Sequence, residues 1–202
     1  WIALDLAKQD APFALYRFCK GKRVDLLVNN AGFGLFGNLW ETDLQEELEL
    51  LDVNIRALHI LTKLFVKEFR RRNSGILLNV ASSAGFLTGP LMASYYASKN
   101  YVVRLSLALA EELQRAGSSV SVSVLCPGPV DTNFNNRAGV SFHVQALDSK
   151  TVARYAIDGA LHGKTILVPG LLMKLSLFGA RLVPQKLLAA VTYHIQEQKQ
   201  KP

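Results

Sequence analysis

The chain has 202 residues, half of them apolar, and a formal net charge of +7 from 23 basic and 16 acidic side chains. That length and apolar content fit one domain with a substantial core and exclude a disordered chain. The basic side chains are scattered and form no recognition motif, which argues for a soluble surface with basic patches and against nucleic-acid binding.

In chain order, residues 2–4 read as the end of a buried strand and residues 8–20 as a helix. Residues 25–29 and 76–80 are short runs, largely apolar on both faces, as expected of parallel strands covered by helices on either side. Between them a long helical pattern covers about 42–72, with a bend expected near Asn54. Residues 93–116 form the cleanest helical pattern: Val102, Val103, Leu105, Leu107, Leu109 and Leu113 give it a broad apolar face. A strand at 120–125, a helix over Ser149–Leu161 and a last strand at 165–168 complete the series. Strand and helix alternate, which predicts an α/β fold: a doubly wound parallel sheet with right-handed crossovers and helices on both faces. No repeat, linker or low-complexity segment interrupts residues 1–202, so a single domain is expected, with an apolar, cationic extension over 170–195.

Cys19 and Cys126 lie far apart, and His59, His143, His162 and His194 are isolated, so no metal-ligand spacing is present. Cys126 sits among apolar residues and is expected to be a buried, reduced thiol, which fits a reducing cytoplasm. No signal peptide is visible at the start. No apolar stretch reaches the roughly 18 residues a spanning helix needs.

Four segments carry candidate chemistry. Tyr95 and Lys99 are four residues apart, on one face of the predicted helix. A phenol is a poor acid or base at neutral pH. A nearby ammonium favours the phenolate and brings the phenol into use as a proton donor or acceptor. The same spacing alone also fits a half-buried aromatic beside a solvated lysine. Ser82 follows the strand at 76–80, at the carboxyl end where ligands bind parallel sheets, and a hydroxyl there can meet a reacting carbonyl oxygen. Ser82 and its neighbour Ser83 equally suit backbone capping of a loop. Asn29-Asn30-Ala31-Gly32 closes another strand: small residues admit a ligand, and the amides can bridge strand ends or meet a cofactor, although a plain turn has the same composition. Pro127-Gly128-Pro129-Val130-Asp131-Thr132 makes a rigid corner after the strand at 120–125, or a simple strand exit.

Taken together, in this order and spacing, these segments resemble the short-chain dehydrogenase/reductase family over nearly the whole chain. The resemblance implies a Rossmann-type fold and an oxidoreductase that uses NADP or NAD. Such an enzyme transfers a hydride between nicotinamide and a small-molecule carbonyl or alcohol. It implies Tyr95 as the acid/base and Lys99 as the residue that lowers its pKa and holds the nicotinamide ribose. Ser82 would orient the substrate, and Asn54, otherwise a polar residue at a helix bend, would complete the tetrad by holding a relay water. Asp5 and Leu6 would meet the adenine, and Asn30, Ala31 and Gly32 would line the adenosine side. Pro127, Gly128, Val130 and Thr132 would flank the nicotinamide. The family's Gly-rich β-α-β opening is expected upstream of Trp1, which makes the fold N-terminally incomplete. Gly32-Phe33-Gly34-Leu35-Phe36-Gly37 follows the wrong strand for that loop and is read as substrate-side. A homo-oligomer is expected through the two long helices carrying Asn54 and Tyr95. The competing readings are a non-catalytic dinucleotide-sensing or interaction protein, and an inactive fragment of the enzyme.

The segment 170–184 is apolar with spaced cations, and Leu171, Leu175, Phe178 and Leu182 fall on one helical stripe. Ordinary packing over the pocket is the plain reading, and a lipophilic substrate would suit it. Peripheral membrane contact is the sharper alternative, giving a cytoplasmic or membrane-associated protein.

Overall fold

A computed structural model describes residues 1–132, 134 and 146–198; the predicted isolated histidine His143 lies outside them. Helix α1 (Ala11–Cys19) begins just after Asp10, with Pro12 in its first turn, where a missing N–H costs nothing. Strand β1 (Leu26–Asn29) follows. The long helical pattern divides into α2 (Leu44–Leu51), one widened turn of π geometry (Asp52–Ala57) and α3 (Leu58–Arg72). The Asp43 side chain caps α2 by accepting from the Glu46 N–H. Asn73, in the left-handed region at φ 49°, ends α3.

Strand β2 (Ile76–Val80) leads through a short 3₁₀ turn (Ser83–Phe86) into α4 (Ala93–Arg115). Strand β3 (Ser121–Leu125), helix α5 (Ser149–Leu161) and strand β4 (Ile166–Leu167) come next. Two helices close the chain, α6 (Leu171–Ala180) and α7 (Gln185–Glu197). The last had no counterpart among the predicted elements. Residues 2–4 are not a strand: they are irregular, Ile2 and Leu4 are exposed, and among the described residues they pair with none of the four strands.

The four strands form one parallel sheet in the order β1-β2-β3-β4, with Leu26 opposite Ile76, Ile76 opposite Ser121 and Val124 opposite Ile166. Successive side chains of β2 point to opposite faces. Leu77 packs with Phe65 and Phe69 of α3 and Leu113 of α4. Leu78 packs with Val152, Ala156 and Ala160 of α5. Helices therefore cover both faces, as the apolar strands require.

A polar seam crosses the first of these layers. Asn29 on β1 donates its side-chain amide to Asn79 Oδ1 on β2 at 2.9 Å and to Thr62 Oγ1 on α3 at 3.1 Å. Asn79 in turn donates to Ser106 Oγ on α4 at 2.9 Å. All four side chains are buried. The seam ties two strands to two helices, and each member has a partner, which is the condition for burying polar atoms without loss. Asn29 thus takes up the strand-bridging role that its sequence context allowed. Replacing Asn79 by Ala takes an acceptor from Asn29, which keeps Thr62, and a donor from Ser106, which keeps the Val102 carbonyl. Urea unfolding is expected to show a loss of about 2 kcal/mol; a change below about 0.5 kcal/mol would contradict the seam's role.

Candidate active site

The carboxyl ends of β2 and β3, the first turns of α4 and the loop after β1 enclose a cavity of about 550 Å³. Ser82, Tyr95 and Lys99 all line it. So do Asn30, Gly32, Pro127, Gly128, Val130 and Thr132. Ala31 does not, and neither do Asp5 and Leu6: Asp5 is exposed and folds back on its own turn, accepting from the Ala7 N–H at 3.0 Å.

Each site residue is fixed by the local fold. Ser82 leaves β2 in an extended conformation and caps the 3₁₀ turn, its Oγ accepting from the Ala84 N–H at 3.2 Å. The capping role and the cleft-facing role coincide in one hydroxyl. The backbone beside it is pinned to the β3 corner by a bond from Ser83 N to Pro127 O at 2.8 Å. Tyr95 lies in the first turn of α4, buried, with the Ser82 side chain near its hydroxyl. Lys99, one turn further along α4, is buried and donates its ammonium to Val80 O, at the end of β2, at 3.0 Å.

Asn54 lies in the widened turn and is almost wholly buried. Its Nδ2 donates to Phe33 O at 2.9 Å and to Ser98 Oγ at 3.0 Å, and its Oδ1 accepts from Phe33 N at 3.1 Å. It stands behind the cavity wall: a Cβ on Gly32 would fall 2.9 Å from Asn54 Oδ1 and 3.2 Å from Lys99 Nζ. Only glycine lets the β1 loop close over these two groups. Phe33, Gly34 and Gly37 continue that loop; Phe33 lines the cavity, and the loop does not open a helix. Of the three glycines of this loop, Gly32 lines the cavity and Gly34 and Gly37 do not.

Burial dominates the electrostatics. Desolvation pushes the Tyr95 phenol up to about 12, and the nearby Ser82 side chain draws it back only in part. Desolvation also brings the Lys99 ammonium down to about 8, opposed by the nearby Cys126 thiol. The expected lowering of the phenol by the ammonium is not what this geometry produces. Lys99 Nζ sits 5.8 Å from the centre of the Tyr95 ring and spends its charge on the Val80 carbonyl. Removing the phenolate from water costs more than that distance repays.

Several contributors were not anticipated. Ser98, wholly buried, links Asn54 to the Tyr95 carbonyl, to which it donates at 2.7 Å. Asn100 Nδ2 donates to Ala84 O, Leu87 O and Tyr96 O at 3.1, 2.9 and 3.0 Å, locking the Ser82 turn onto α4. Phe134 stacks against Tyr95 with ring centres 5.2 Å apart. Met92, Phe33 and Tyr96 join it in an apolar wall. Phe33 lies in the loop read as substrate-side; the small polar residues at 98 and 100 are visible only as hydrophilic interruptions of a buried helix face.

Residues 1–140 match the family model described as short chain dehydrogenase. The chain belongs to the short-chain dehydrogenase family. Estradiol 17-beta-dehydrogenase 11 of Mus musculus is 30% identical over 174 residues, which is 85% of this chain and 58% of that protein. The "CLA biosynthesis dehydrogenase/reductase" of Lactiplantibacillus plantarum is 36% identical over 113 residues, 55% of this chain and 40% of that protein. A short-chain dehydrogenase from Sphingobium yanoikuyae, solved in complex with NADPH, matches with a TM-score of 0.76 at 25% identity, covering 88% of this chain and 71% of that one. The chain spans about half the length of the curated relatives it matches. Family membership carries with it the α/β Rossmann-type fold that the alternation of elements predicts.

The depressed Lys99 value has a measurable consequence for this family member's fold. An unfolded chain holds the lysine protonated up to its ordinary 10.5, whereas the folded chain releases the proton above about 8. Unfolding therefore takes up a proton in this window, and stability rises with pH. Cys126, pushed up to about 12 from its ordinary 9.0, acts in the opposite direction above pH 9, so the rise is clearest between about pH 8 and 9. Lys99→Met is expected to remove a gain on the order of 1 kcal/mol across that interval. Urea midpoints at the two pH values measure it; the same pH slope in both proteins would contradict the burial of this ammonium.

Proposed function

We propose that this chain forms the catalytic part of an NAD(P)-dependent oxidoreductase that interconverts a carbonyl and an alcohol, with Tyr95 as proton partner. The observation that carries the reading is that Ser82, Tyr95 and the buried Lys99 line one cavity, with the Ser82 side chain near enough to the Tyr95 phenol to lower its proton affinity. Two oxygen-bound donors facing one point suit a reacting oxygen that gains negative charge. NADP or NAD would supply the hydride.

The residues present fit the nicotinamide side of such a cofactor. Among the described residues Lys99 has one hydrogen-bond acceptor, Val80 O, which leaves donors for ribose hydroxyls. Pro127, Gly128, Val130 and Thr132 form the facing wall, and Asn30 and Gly32 close the near side. A Cβ at Gly128 would fall 2.4 Å from the terminal methyl of Met173, which reaches this wall from α6. Asp5, Leu6 and Ala31 remain assigned to the adenosine side on the family resemblance alone.

The chain's own contributions are then distinct. Ser82 and Tyr95 hold the substrate oxygen, and Tyr95 gives or takes its proton. Lys99 holds a positive charge beside the reacting groups. Asn54 acts as a positioning residue, since its carboxamide is spent on Phe33 and Ser98; a relay water would have to compete with those bonds. The apolar wall of Phe33, Met92, Tyr96 and Phe134 favours a lipophilic carbonyl. The outer sides of α3 and α4 frame a groove of about 430 Å³ lined by Val66, Leu105 and Leu109, which supports a homo-oligomer paired through these helices. A single domain over 1–202 with residues 170–195 as its extension completes the reading.

The kinetic test uses the longest polypeptide containing this sequence, a panel of apolar ketones, and NADH or NADPH. Tyr95→Phe is expected to lower kcat by about a hundredfold or more while far-UV circular dichroism stays unchanged. Turnover like that of the wild type in Tyr95→Phe would overturn the assignment. Retained cofactor binding with no turnover in the wild type would favour the dinucleotide-sensing alternative.

A further inference from the structure

Helices α6 and α7 carry apolar residues on two sides. Inward, Met173 and Leu177 of α6 pack with Val102, Val103 and Cys126. Outward, Leu171, Leu175, Phe178 and Leu182 recur at intervals of four, three and four residues, and stand 72%, 60%, 64% and 77% exposed. At 3.6 residues per turn the first three share one stripe of α6, roughly opposite the buried pair, and Leu182 follows in the turn just past the helix end. Helix α7 repeats the pattern. Leu188, Thr192 and Gln196 face inward, and Leu187, Val191 and Ile195 are about half exposed along a neighbouring stripe. A helix packed on one side only has no folding reason to place large apolar residues on its other side as well.

The charges around this surface are mostly of one sign; Glu197, at the end of α7, lies 3.7 Å from the His194 ring. From Gly159 to Gln196 the sequence has no Asp or Glu, but has Lys164, Lys174, Arg181 and Lys186. Lys174 and Arg181 are seven residues apart, on the border between the buried and exposed stripes of α6. Each rests over an aromatic ring, Lys174 over Tyr155 at 5.9 Å and Arg181 over Phe86 at 5.8 Å. Long cationic side chains flanking an apolar stripe are placed to reach past it toward anions while their stems cover apolar surface. Protein-binding patches tend the other way, with lysine depleted and the core enriched in aromatic residues. Among the described residues no helix is long and apolar enough to cross a membrane, so these helices would lie along a bilayer surface.

We propose that the outer face of α6 and α7 docks on an anionic lipid bilayer surface, with Leu175 and Phe178 entering the acyl boundary and Lys174 and Arg181 meeting headgroup phosphates. The docking rests on these two helices and not on the proposed reaction. Their inner faces bear on the pocket: Thr192 donates to Thr88 O at 2.6 Å, and Gln196 donates to the hydroxyl of Tyr96, a residue of the cavity wall.

The test is co-sedimentation of the 202-residue chain with phosphatidylcholine vesicles, with and without phosphatidylglycerol, at low and high salt. Binding is expected only with phosphatidylglycerol and is expected to fall as salt rises. The double variant Leu175→Asp, Phe178→Asp is expected to bind at least about tenfold more weakly. Lys174→Gln and Arg181→Gln should each cost about fivefold. All four side chains are exposed, so circular dichroism should match the wild type. Failure to sediment, equal binding to neutral vesicles, or indifference to the double variant overturns the proposal. Self-association by light scattering that the double variant abolishes, without any vesicle binding, would make the face a contact between copies and likewise overturn it.

Discussion

The side-chain amide of Asn54 holds the site together. One carboxamide satisfies both backbone groups of Phe33 and reaches Ser98, which bonds the Tyr95 carbonyl. The loop after β1, the break between α2 and α3 and the first turns of α4 therefore share a single buried polar centre. The helix widens at 52–57, where this amide lies buried, a local irregularity of the kind often found at functional positions. Everything nearer the cavity follows from that tie. Gly32 must lack a side chain because Asn54 and Lys99 fill the space behind it. Phe33 is held against the cavity, and Tyr95 stands opposite Ser82.

Around this centre the protein chooses desolvation over attraction. Tyr95, Lys99 and Cys126 are all buried, and burial is the largest influence on each: it raises the phenol and thiol to about 12 and lowers the ammonium to about 8. Burial that shifts proton affinities in opposite directions is costly to fold, and the polar seam of Asn29, Asn79, Thr62 and Ser106 shows how such a cost is contained. Each of those polar atoms meets another, so the layer that carries the site stays rigid without relying on apolar packing alone.

Much of this was legible in the sequence. Periodicity placed four of the five predicted strands, because a covered parallel strand is a short apolar run between turn residues. It also placed the helix that presents Tyr95 and Lys99 on one face, and the stripe at Leu171, Leu175 and Phe178. The failures have physical reasons. Residues 2–4 look like a strand, but apolar character alone supplies no hydrogen-bonding partner. Helix α7 mixes Thr, Tyr, His and Gln with its aliphatic residues, which blurs the periodic signal; its buried face holds Thr192 and Gln196 instead of hydrophobes. Ser98 and Asn100 escaped notice because their importance lies in which carbonyls they meet. The direction of the Tyr95 shift was missed because spacing reports proximity along a helix and says nothing of where an ammonium spends its hydrogen bonds.

The role of Asn54 is most directly tested by a double-mutant cycle with Ser98, using Asn54→Ala, Ser98→Ala and the pair, followed by urea unfolding. The account predicts a coupling energy of about 1 kcal/mol or more, since the two side chains satisfy each other in a buried centre. Effects that add to within about 0.3 kcal/mol would show the two residues to be independent and would contradict it.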